Sequence, residues 1–320
     1  MTRGRRNIIT LGPLFVPYNT RSTLCQTVAV NKFMSHRLTP TPTRFFDLYA
    51  GALNASRIAV QTWPNVRCEA VDHCPHIVNI FEQIKSNYTE LIKELGKIEL
   101  RFNMHPLQPV PTRKTHQPSR EKEFDQWLKD VQYNPPQTPV ERAATHLAFL
   151  QFAHAFKSPA FNVNGQWTGH LGAHDILRPK RSFHYKLVSR NCLTTWSALL
   201  KNEKIQYDCK DAVELIPLIP DDSKSFVFAE PPYPPNDPNE DQINKYNQTL
   251  EGLTRKFSSF QNARILLIGT DNNKHFSHLA DKLNLSLTPI EYNNNSTARQ
   301  EWILPFNFRA KEKEVFNPFD

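Results

Sequence analysis

The stretch SFVFAEPPYPP (residues 225–235) is the starting point for a fold prediction. Its first half, residues 226–229, is a short apolar run of β-forming residues, which predicts a buried strand. Two prolines follow Glu230, and proline cannot donate to a central ladder, so the chain must leave the sheet there. An acid, two rigid prolines and Tyr233 are thereby placed past the strand's carboxyl end, the edge where open α/β sheets bind ligands. A proline-rich turn after an edge strand is the alternative that these residues alone leave open.

Two earlier segments have the same strand-then-turn pattern. Residues 44–51, RFFDLYAG, predict a strand that runs into a tight glycine turn, and residues 66–71 predict a second strand that ends before Asp72. A helix is expected after each strand, over 52–61 and over 75–95, with Pro75 at its first turn. Strand–helix–strand–helix is the beginning of a doubly wound sheet, so the sequence predicts an α/β fold.

The alternation is interrupted in the middle of the chain. Residues 97–140 are rich in proline and charge, and a helix over 143–156 is followed by an irregular segment and the basic run RPKR (178–181). Strands and helices resume from 187 onward and end in a predicted β-hairpin of residues 285–292 and 300–304. A loop-rich stretch of this length inside an α/β fold is usually functional or a separate subdomain. We therefore expect a doubly wound domain (14–97 and 182–310) with a mainly helical insertion (98–181).

Charge and cysteine usage limit the class of protein. The chain of 320 residues carries a formal net charge of +8, which favours a polyanionic partner, although a basic protein without such a partner is the alternative. The 5 cysteines form no CxxC pair, which is typical of reduced thiols in a cytoplasmic protein. No apolar run approaches the ~20 residues of a membrane span, so no membrane partner is expected. Cysteines and histidines also lack the paired spacing of structural zinc, so no metal is expected.

Two acids at predicted strand ends suggest a nucleoside cofactor. Asp72 lies roughly 20 residues beyond the Gly51 turn, where doubly wound folds place the carboxylate that binds ribose hydroxyls. Asp211 follows a short strand predicted over 205–207 and is positioned to accept from an adenine amine. Helix capping is the alternative for both acids. Because there is no phosphate-binding GxGxxG, the pattern favours S-adenosylmethionine over a dinucleotide.

The order of these motifs resembles that of class I methyltransferases with a DPPY-type signature, here Glu230-Pro231-Pro232-Tyr233. It resembles the Dam-type adenine-specific DNA methyltransferases most, over residues 14–307. The resemblance implies a Rossmann-like class I methyltransferase sheet with a C-terminal β-hairpin, an S-adenosylmethionine-binding catalytic domain, and target recognition by the insertion. The implied reaction is methyl transfer to the exocyclic amine (N6) of adenine in DNA. The alternatives are an RNA or cytosine-amine methyltransferase and a catalytically degenerate DNA-binding or partner subunit.

The resemblance also implies a role for individual residues. Glu230 and the Pro231 carbonyl would accept the hydrogens of the target amine, and Tyr233 would stack on the flipped base. The expected cofactor contacts are Tyr18, Arg21, Asp47, Tyr49, Ala50, Gly51, Asp72 and Asp211. The expected phosphate contacts are Arg113, Lys114, Arg120, Lys122, Arg178, Lys180 and Arg181, with a solvated polar surface as the alternative. Double-stranded DNA would be the partner, together with a cognate restriction endonuclease whose existence the sequence does not decide.

The chain departs from the family's pattern at three places. Glu230 stands where the family has Asp, Asn or Ser and is one methylene longer, and a displacement of ~1 Å at a reacting centre can cost ~100-fold in rate. Leu53 stands where the family's turn has its second glycine, and it is expected to add bulk beside the cofactor. The family's N-terminal KWxGGK-like element is barely present at residues 18–21. These departures favour a divergent enzyme and leave loss of catalysis as the alternative.

Overall fold

The computed structural model describes residues 38–102, 118–152, 190–234, 238–271, 274–290 and 301–308, together with Phe33 and Val188. Within these ranges, the side chains of 118–125 and 151–152 are not described. No helix in the described part is both long enough and apolar enough to cross a membrane.

The described residues form one sheet of seven strands. The strands are β1 (Arg44–Leu48), β2 (Arg67–Asp72), β3 (Ile205–Cys209), β4 (Ser225–Ala229), β5 (Arg264–Thr270), β6 (Thr288–Pro289) and β7 (Glu301–Phe306). Their order is β3-β2-β1-β4-β5-β7-β6. The first five strands are parallel, while β7 runs antiparallel to both β5 and β6. This order with a reversed β7 is that of the class I methyltransferase fold, so the predicted α/β fold is confirmed.

Helices cover both faces of the sheet. On one side lie α1 (Asn54–Thr62), α2 (Pro75–Ser86), α3 (Tyr88–Arg101), α4 (Pro118–Tyr133), α5 (Pro139–Phe152) and α6 (Arg190–Lys201). On the other lie α7 (Ala212–Leu215), α8 (Glu240–Phe257) and α9 (His275–Lys282). The two-residue period of a strand sends alternate side chains to opposite faces. In β4, Phe226 and Phe228 therefore pack into the first core, while Val227 and Ala229 pack into the second.

The single helix predicted over 75–95 is two helices. The chain leaves helical geometry at Asn87, where φ is −129° and ψ is 38°. The Asn87 N–H still donates to the Gln83 carbonyl, and the Asn87 carbonyl accepts from Leu91 N–H, which begins α3. Its side-chain amide also donates to Gln83 Oε1 at 2.7 Å. Asparagine competes in this way with regular helix bonding, which is why the break falls there.

The described part of the insertion shares the core of the sheet. Helix α5 packs against α2 and α3, and Leu147 and Phe149 belong to the same hydrophobic cluster as Phe45 of β1. The Trp127 ring of α4 lies 4.7 Å from the Phe149 ring, between ring centroids. Helix α5 begins at Pro139 rather than at the predicted residue 143. The assignment of 98–181 to target recognition stays a prediction.

Candidate active site

The register of the sheet brings three of the predicted motifs to one edge. Leu48, the last residue of β1, pairs with Val71 of β2 and with Ala229 of β4. The turn that begins at Tyr49 therefore lies between the carboxyl ends of the two neighbouring strands, beside Asp72 and Glu230. The central strand thus presents its turn to an acid on each side, as the order of motifs predicted.

The turn after β1 has glycine-like backbone geometry at alternate residues. Tyr49, Gly51 and Leu53 have positive φ angles of 66°, 48° and 58°. A Cβ added at Gly51 would meet no atom within 4 Å, so the backbone there borders open space. A ligand can approach such a backbone closely, which is the use of glycine at this kind of turn.

Leu53 has a left-handed backbone conformation, with a φ of 58°. Its side chain is fully buried in the hydrophobic cluster that also contains Phe45 and Ile58. A fully buried side chain does not line an open cleft, so the expectation that Leu53 adds bulk beside the cofactor is wrong. The left-handed conformation costs a residue with a Cβ roughly 1–2 kcal/mol, which burial of the Leu53 side chain offsets.

Asp72 joins the turn to the start of α2. Its Oδ2 accepts from Gly51 N–H at 2.9 Å and its Oδ1 accepts from Cys74 N–H at 2.8 Å. Cys74 is the N-cap residue of α2 and no described side chain caps this helix, so the helix-capping alternative for Asp72 is wrong, and the Asp72 carboxylate instead holds the N-cap residue by its N–H. Each carboxylate oxygen has two acceptor sites, and Asp72 therefore keeps capacity for ligand hydroxyls. Its side chain is 12% exposed at the edge of the sheet.

Tyr207 holds the same glycine from the other direction. It lies on β3 and its hydroxyl donates to the Gly51 carbonyl at 2.8 Å. Gly51 is thus bonded to β2 through its N–H and to β3 through its carbonyl. Sequence reasoning missed Tyr207. Its signal in the sequence is weak: an aromatic residue with a polar hydroxyl, at the end of the strand predicted over 205–207.

Asp47 supports the turn from inside the protein. It is 1% exposed, and its Oδ2 accepts from the Ser56 N–H at 3.0 Å and from the Ser56 hydroxyl at 2.6 Å. The first N–H groups of a helix have no partner within the helix, and Asp47 supplies one to α1. Burial raises the pKa of Asp47 to about 7, against the effect of the Ser56 hydrogen bonds. Asp47 therefore fixes α1 behind the turn, and a direct cofactor contact by its side chain stays a prediction.

Asp211 is exposed and caps α7. Its Oδ1 accepts from Val213 N–H at 2.8 Å, so the capping alternative from the sequence is confirmed. Its charge also acts on Tyr49: burial first, and then the nearby Asp211 carboxylate, raise the pKa of Tyr49 to about 12. Asp211 consequently lies close to the turn after β1, where a cofactor contact stays a prediction.

Glu230 and Tyr233 are joined by a hydrogen bond after β4. The Tyr233 hydroxyl donates to Glu230 Oε1 at 2.9 Å, and Glu230 is 8% exposed. The Tyr233 ring lies 6.2 Å from the ring of Tyr246 on α8, between centroids. The Tyr246 hydroxyl in turn accepts from Thr270 N–H, the last residue of β5, at 3.0 Å. Sequence reasoning missed Tyr246, because nothing on its own helix distinguishes it from a core aromatic.

Several predicted contacts cannot be placed on this site. Tyr18, Arg21, Arg113, Lys114, Arg178, Lys180 and Arg181 lie outside the described residues. Arg120 and Lys122 lie on α4, in the part whose side chains are not described. Among the described residues, no group of three or more His, Cys, Asp or Glu side chains is arranged to hold a metal ion.

A groove of about 730 Å³ lies between α3, α4 and α5 in the insertion. Its basic side chains are paired with acids: Lys97 Nζ is 2.7 Å from Glu94 Oε1, and Arg101 is 2.6 Å from Asp130 Oδ2. Glu141 adds a further acid to the lining. These pairs give the groove no surplus of positive charge, so it offers no support for phosphate contacts.

Comparisons with known proteins give distant structural likenesses. No protein-family model and no curated protein matches the chain. Among solved structures, the chain is similar to the "delta-N METTL16 MTase domain", with a TM-score of 0.39, 10% identity, and coverage of 91% of this chain and 83% of that one. It is also similar to the rRNA methyltransferase aviRa from Streptomyces viridochromogenes, with a TM-score of 0.33, 10% identity, and coverage of 88% and 83%. Likenesses this distant carry no argument about the activity of this chain.

Proposed function

We propose that this chain is an S-adenosylmethionine-dependent methyltransferase that acts on the exocyclic amine (N6) of adenine in DNA. The observation that carries the proposal is the arrangement at the carboxyl edge of the sheet. The open Gly51 turn, braced by Asp72, lies beside β4, and Glu230 and Pro231 follow β4 directly in the chain. This arrangement supports a nucleoside site and an amine-acceptor site next to each other.

The residues of this edge fit S-adenosylmethionine better than a dinucleotide. Asp72 provides acceptor oxygens for ribose hydroxyls, and exposed Asp211 provides one for an adenine amine. Three N–H groups of the turn are already used: Ala50 donates to the Val71 carbonyl, Gly51 to Asp72, and Leu53 to the Ala50 carbonyl. None of the three is left for a pyrophosphate, which needs such donors. When bound, S-adenosylmethionine supplies an electrophilic methyl group on a positively charged sulfur.

The acceptor groups after β4 suit an aromatic amine. The lone pair of such an amine is delocalised into its ring, so the amine is a poor nucleophile until acceptors localise that pair. The Glu230 carboxylate and the Pro231 carbonyl would accept its two hydrogens, and the proton lost on methylation would pass to Glu230 or to solvent. The prolines fix the direction of the carbonyl, and this preorganisation lowers the barrier.

The extra methylene of Glu230 is accommodated by Tyr233. A longer acid has more rotamers. The Tyr233 hydroxyl donates to Glu230 Oε1 at 2.9 Å, and this hydrogen bond favours one of these rotamers. The Tyr233 ring is itself braced by Tyr246. These contacts support an active enzyme over a degenerate copy, because the acid is held in one place by the aromatic that would contact the base.

Nucleoside mass spectrometry tests the proposal. The chain is incubated with S-adenosylmethionine and a mixture of duplex DNA and structured RNA, and both nucleic acids are then digested. We expect N6-methyladenine in the DNA, and none with the Glu230→Ala variant. Methylated RNA, or N4-methylcytosine in the DNA, would change the proposed substrate but leave methyl transfer to an amine as the reaction. Transfer that appears only with Glu230→Asp would identify the chain as a degenerate copy, and a folded chain that binds no S-adenosylmethionine overturns the proposal altogether.

Target recognition belongs to the same proposal. We infer that the insertion over 98–181 selects the sequence to be methylated, with Arg113, Lys114, Arg120, Lys122, Arg178, Lys180 and Arg181 on the phosphates. The net charge of +8 supports a polyanionic substrate. Each lost phosphate contact lowers the salt dependence of DNA binding by about one unit of slope. Binding of duplex DNA by Arg113→Gln and Lys114→Gln variants over a range of salt concentrations measures that slope.

A further inference from the structure

Gly51 is the only residue of the turn after β1 whose N–H and carbonyl are both bonded to other strands among the described contacts. The N–H donates to Asp72 Oδ2 of β2 at 2.9 Å, and the carbonyl accepts from the Tyr207 hydroxyl of β3 at 2.8 Å. Glycine has the widest conformational freedom of all residues, and here its φ is held at 48°. Two bonds from different strands therefore fix the residue that borders the open space of the site.

The surroundings of Tyr207 make its hydroxyl a dedicated donor. The side chain is partly buried, and its ring meets the edge of the Phe81 ring of α2 at a centroid distance of 5.5 Å and an interplanar angle of 72°. Burial, and then the nearby carboxylates of Asp72 and Asp47, raise the pKa of Tyr207 well above its usual value. The hydroxyl thus keeps its proton near neutral pH, and the Gly51 carbonyl remains bonded to it.

We propose that Tyr207 is a positioning residue for the cofactor, acting through Gly51 on the shape of the turn that the cofactor contacts. The inference rests on the proposed function and deepens it. Without the hydroxyl, Gly51 keeps its bond to Asp72 but is released on the carbonyl side. The turn then samples more conformations before binding, and that entropy is lost on binding. One net hydrogen bond contributes about 1 kcal/mol, which corresponds to about a 5-fold change in affinity.

The alternative is that the Tyr207 hydroxyl serves only the stability of the fold. Tyr88 offers a matched control, because its hydroxyl makes a hydrogen bond of 2.7 Å with Thr194 Oγ1, between α3 and α6 and away from the strand ends. Tyr207→Phe and Tyr88→Phe each remove one hydroxyl and keep the ring. A structural role makes the two variants behave alike, whereas a positioning role separates them in cofactor binding.

The experiment is calorimetric titration of the full chain with S-adenosylmethionine, alongside thermal unfolding and steady-state kinetics. We expect Tyr207→Phe to raise the Kd and the KM for S-adenosylmethionine about 5-fold, with kcat at saturation within about twofold of the wild type. Tyr88→Phe is expected to leave Kd unchanged, and both variants to melt within a few degrees of each other.

The outcomes separate this inference from the proposed function. A wild-type chain that binds no S-adenosylmethionine overturns both. A wild-type chain that binds, with a Tyr207→Phe Kd within about twofold of it, overturns the positioning role alone. A Tyr207→Phe variant that melts far below Tyr88→Phe or does not fold also overturns it, because the hydroxyl then serves the fold.

Discussion

The two halves of the site are held in different ways. In the cofactor half, formed by the turn 49–53 with Asp47 and Asp72, the carboxylates accept from main-chain N–H groups of the turn, of the first turn of α1 and of the residue before α2. In the amine half, formed by Glu230–Tyr233 and Tyr246, side chains contact one another, and Tyr246 also accepts from the main-chain N–H of Thr270. Main-chain bonds belong to the fold itself. Substitutions in the cofactor half should therefore change stability, and substitutions in the amine half should lower activity at nearly constant stability.

The largest effect is expected at Asp47, through the pH dependence of stability. Burial raises the pKa of Asp47 from its usual 3.8 to about 7 in the folded protein, so the folded state binds the proton more tightly than the unfolded state. The contribution of protonated Asp47 to the free energy of unfolding is therefore fully present below about pH 4. It is lost as pH rises to about 7, on the order of 4 kcal/mol in all. Asn at this position stays neutral, so Asp47→Asn should remove that slope. Urea unfolding at several pH values measures it.

Asp221 gives a control of opposite sign. Although burial acts against it, backbone N–H bonds from Gln261, Ala263 and Asn262 hold the pKa of Asp221 below its usual value. The contribution of ionised Asp221 to the free energy of unfolding is present above about pH 4 and is lost as pH falls. Asp221→Asn should therefore remove a pH dependence of stability of the opposite sign. If Asp47→Asn and wild type keep parallel stability profiles between pH 4 and 7, the cofactor half is not held as described.

The next largest effect is expected at Glu230, in activity. Glu230→Ala removes an acceptor at the reacting amine and should lower kcat by about 100-fold or more. Glu230→Gln keeps an oxygen that can accept from Tyr233 and from the amine, but without charge, so a loss of about 10-fold is expected. Initial rates of methyl transfer measure both, with calorimetry to confirm that the Kd for S-adenosylmethionine stays within about twofold. A large drop in melting temperature with Glu230→Gln would break the contrast between the halves.

The same contrast separates what the sequence could predict from what it could not. The carboxyl edge of the sheet and the acids on it could be predicted, because each strand, turn, acid and helix is adjacent to the next along the chain. Ser56, Tyr207 and Tyr246 act through tertiary contacts that no local pattern signals. Leu53 was misjudged for a related reason, because a sequence records the side chain but not its direction, and here that side chain enters the core.

A smaller effect is expected in the difference between two variants of Leu53, where strain and burial oppose each other. Leu53→Ala removes the buried side chain and keeps a Cβ at a φ of 58°, so a loss of about 2–5 kcal/mol is expected. Leu53→Gly loses the same contacts but removes the strain, so it should be more stable than Leu53→Ala by about 1 kcal/mol. Chemical denaturation of the two variants measures the difference. An Ala variant more stable than the Gly variant would show that the turn relaxes out of the left-handed conformation.

The smallest effect is expected at Tyr246, where the amine half meets the main chain. Tyr246→Phe keeps the ring that braces Tyr233 and removes the hydroxyl that accepts from Thr270 N–H, at a cost of about 1 kcal/mol in unfolding free energy. A Cβ at Gly269 would lie 3.1 Å from that hydroxyl, so the tyrosine packs against bare backbone of β5. Because the ring stays, kcat should remain within about threefold of the wild type, whereas Tyr246→Ala should lower kcat further by freeing Tyr233. Equal kcat values for the Phe and Ala variants would mean that Tyr233 and Glu230 hold each other without a brace, and the amine half would then consist of that pair alone.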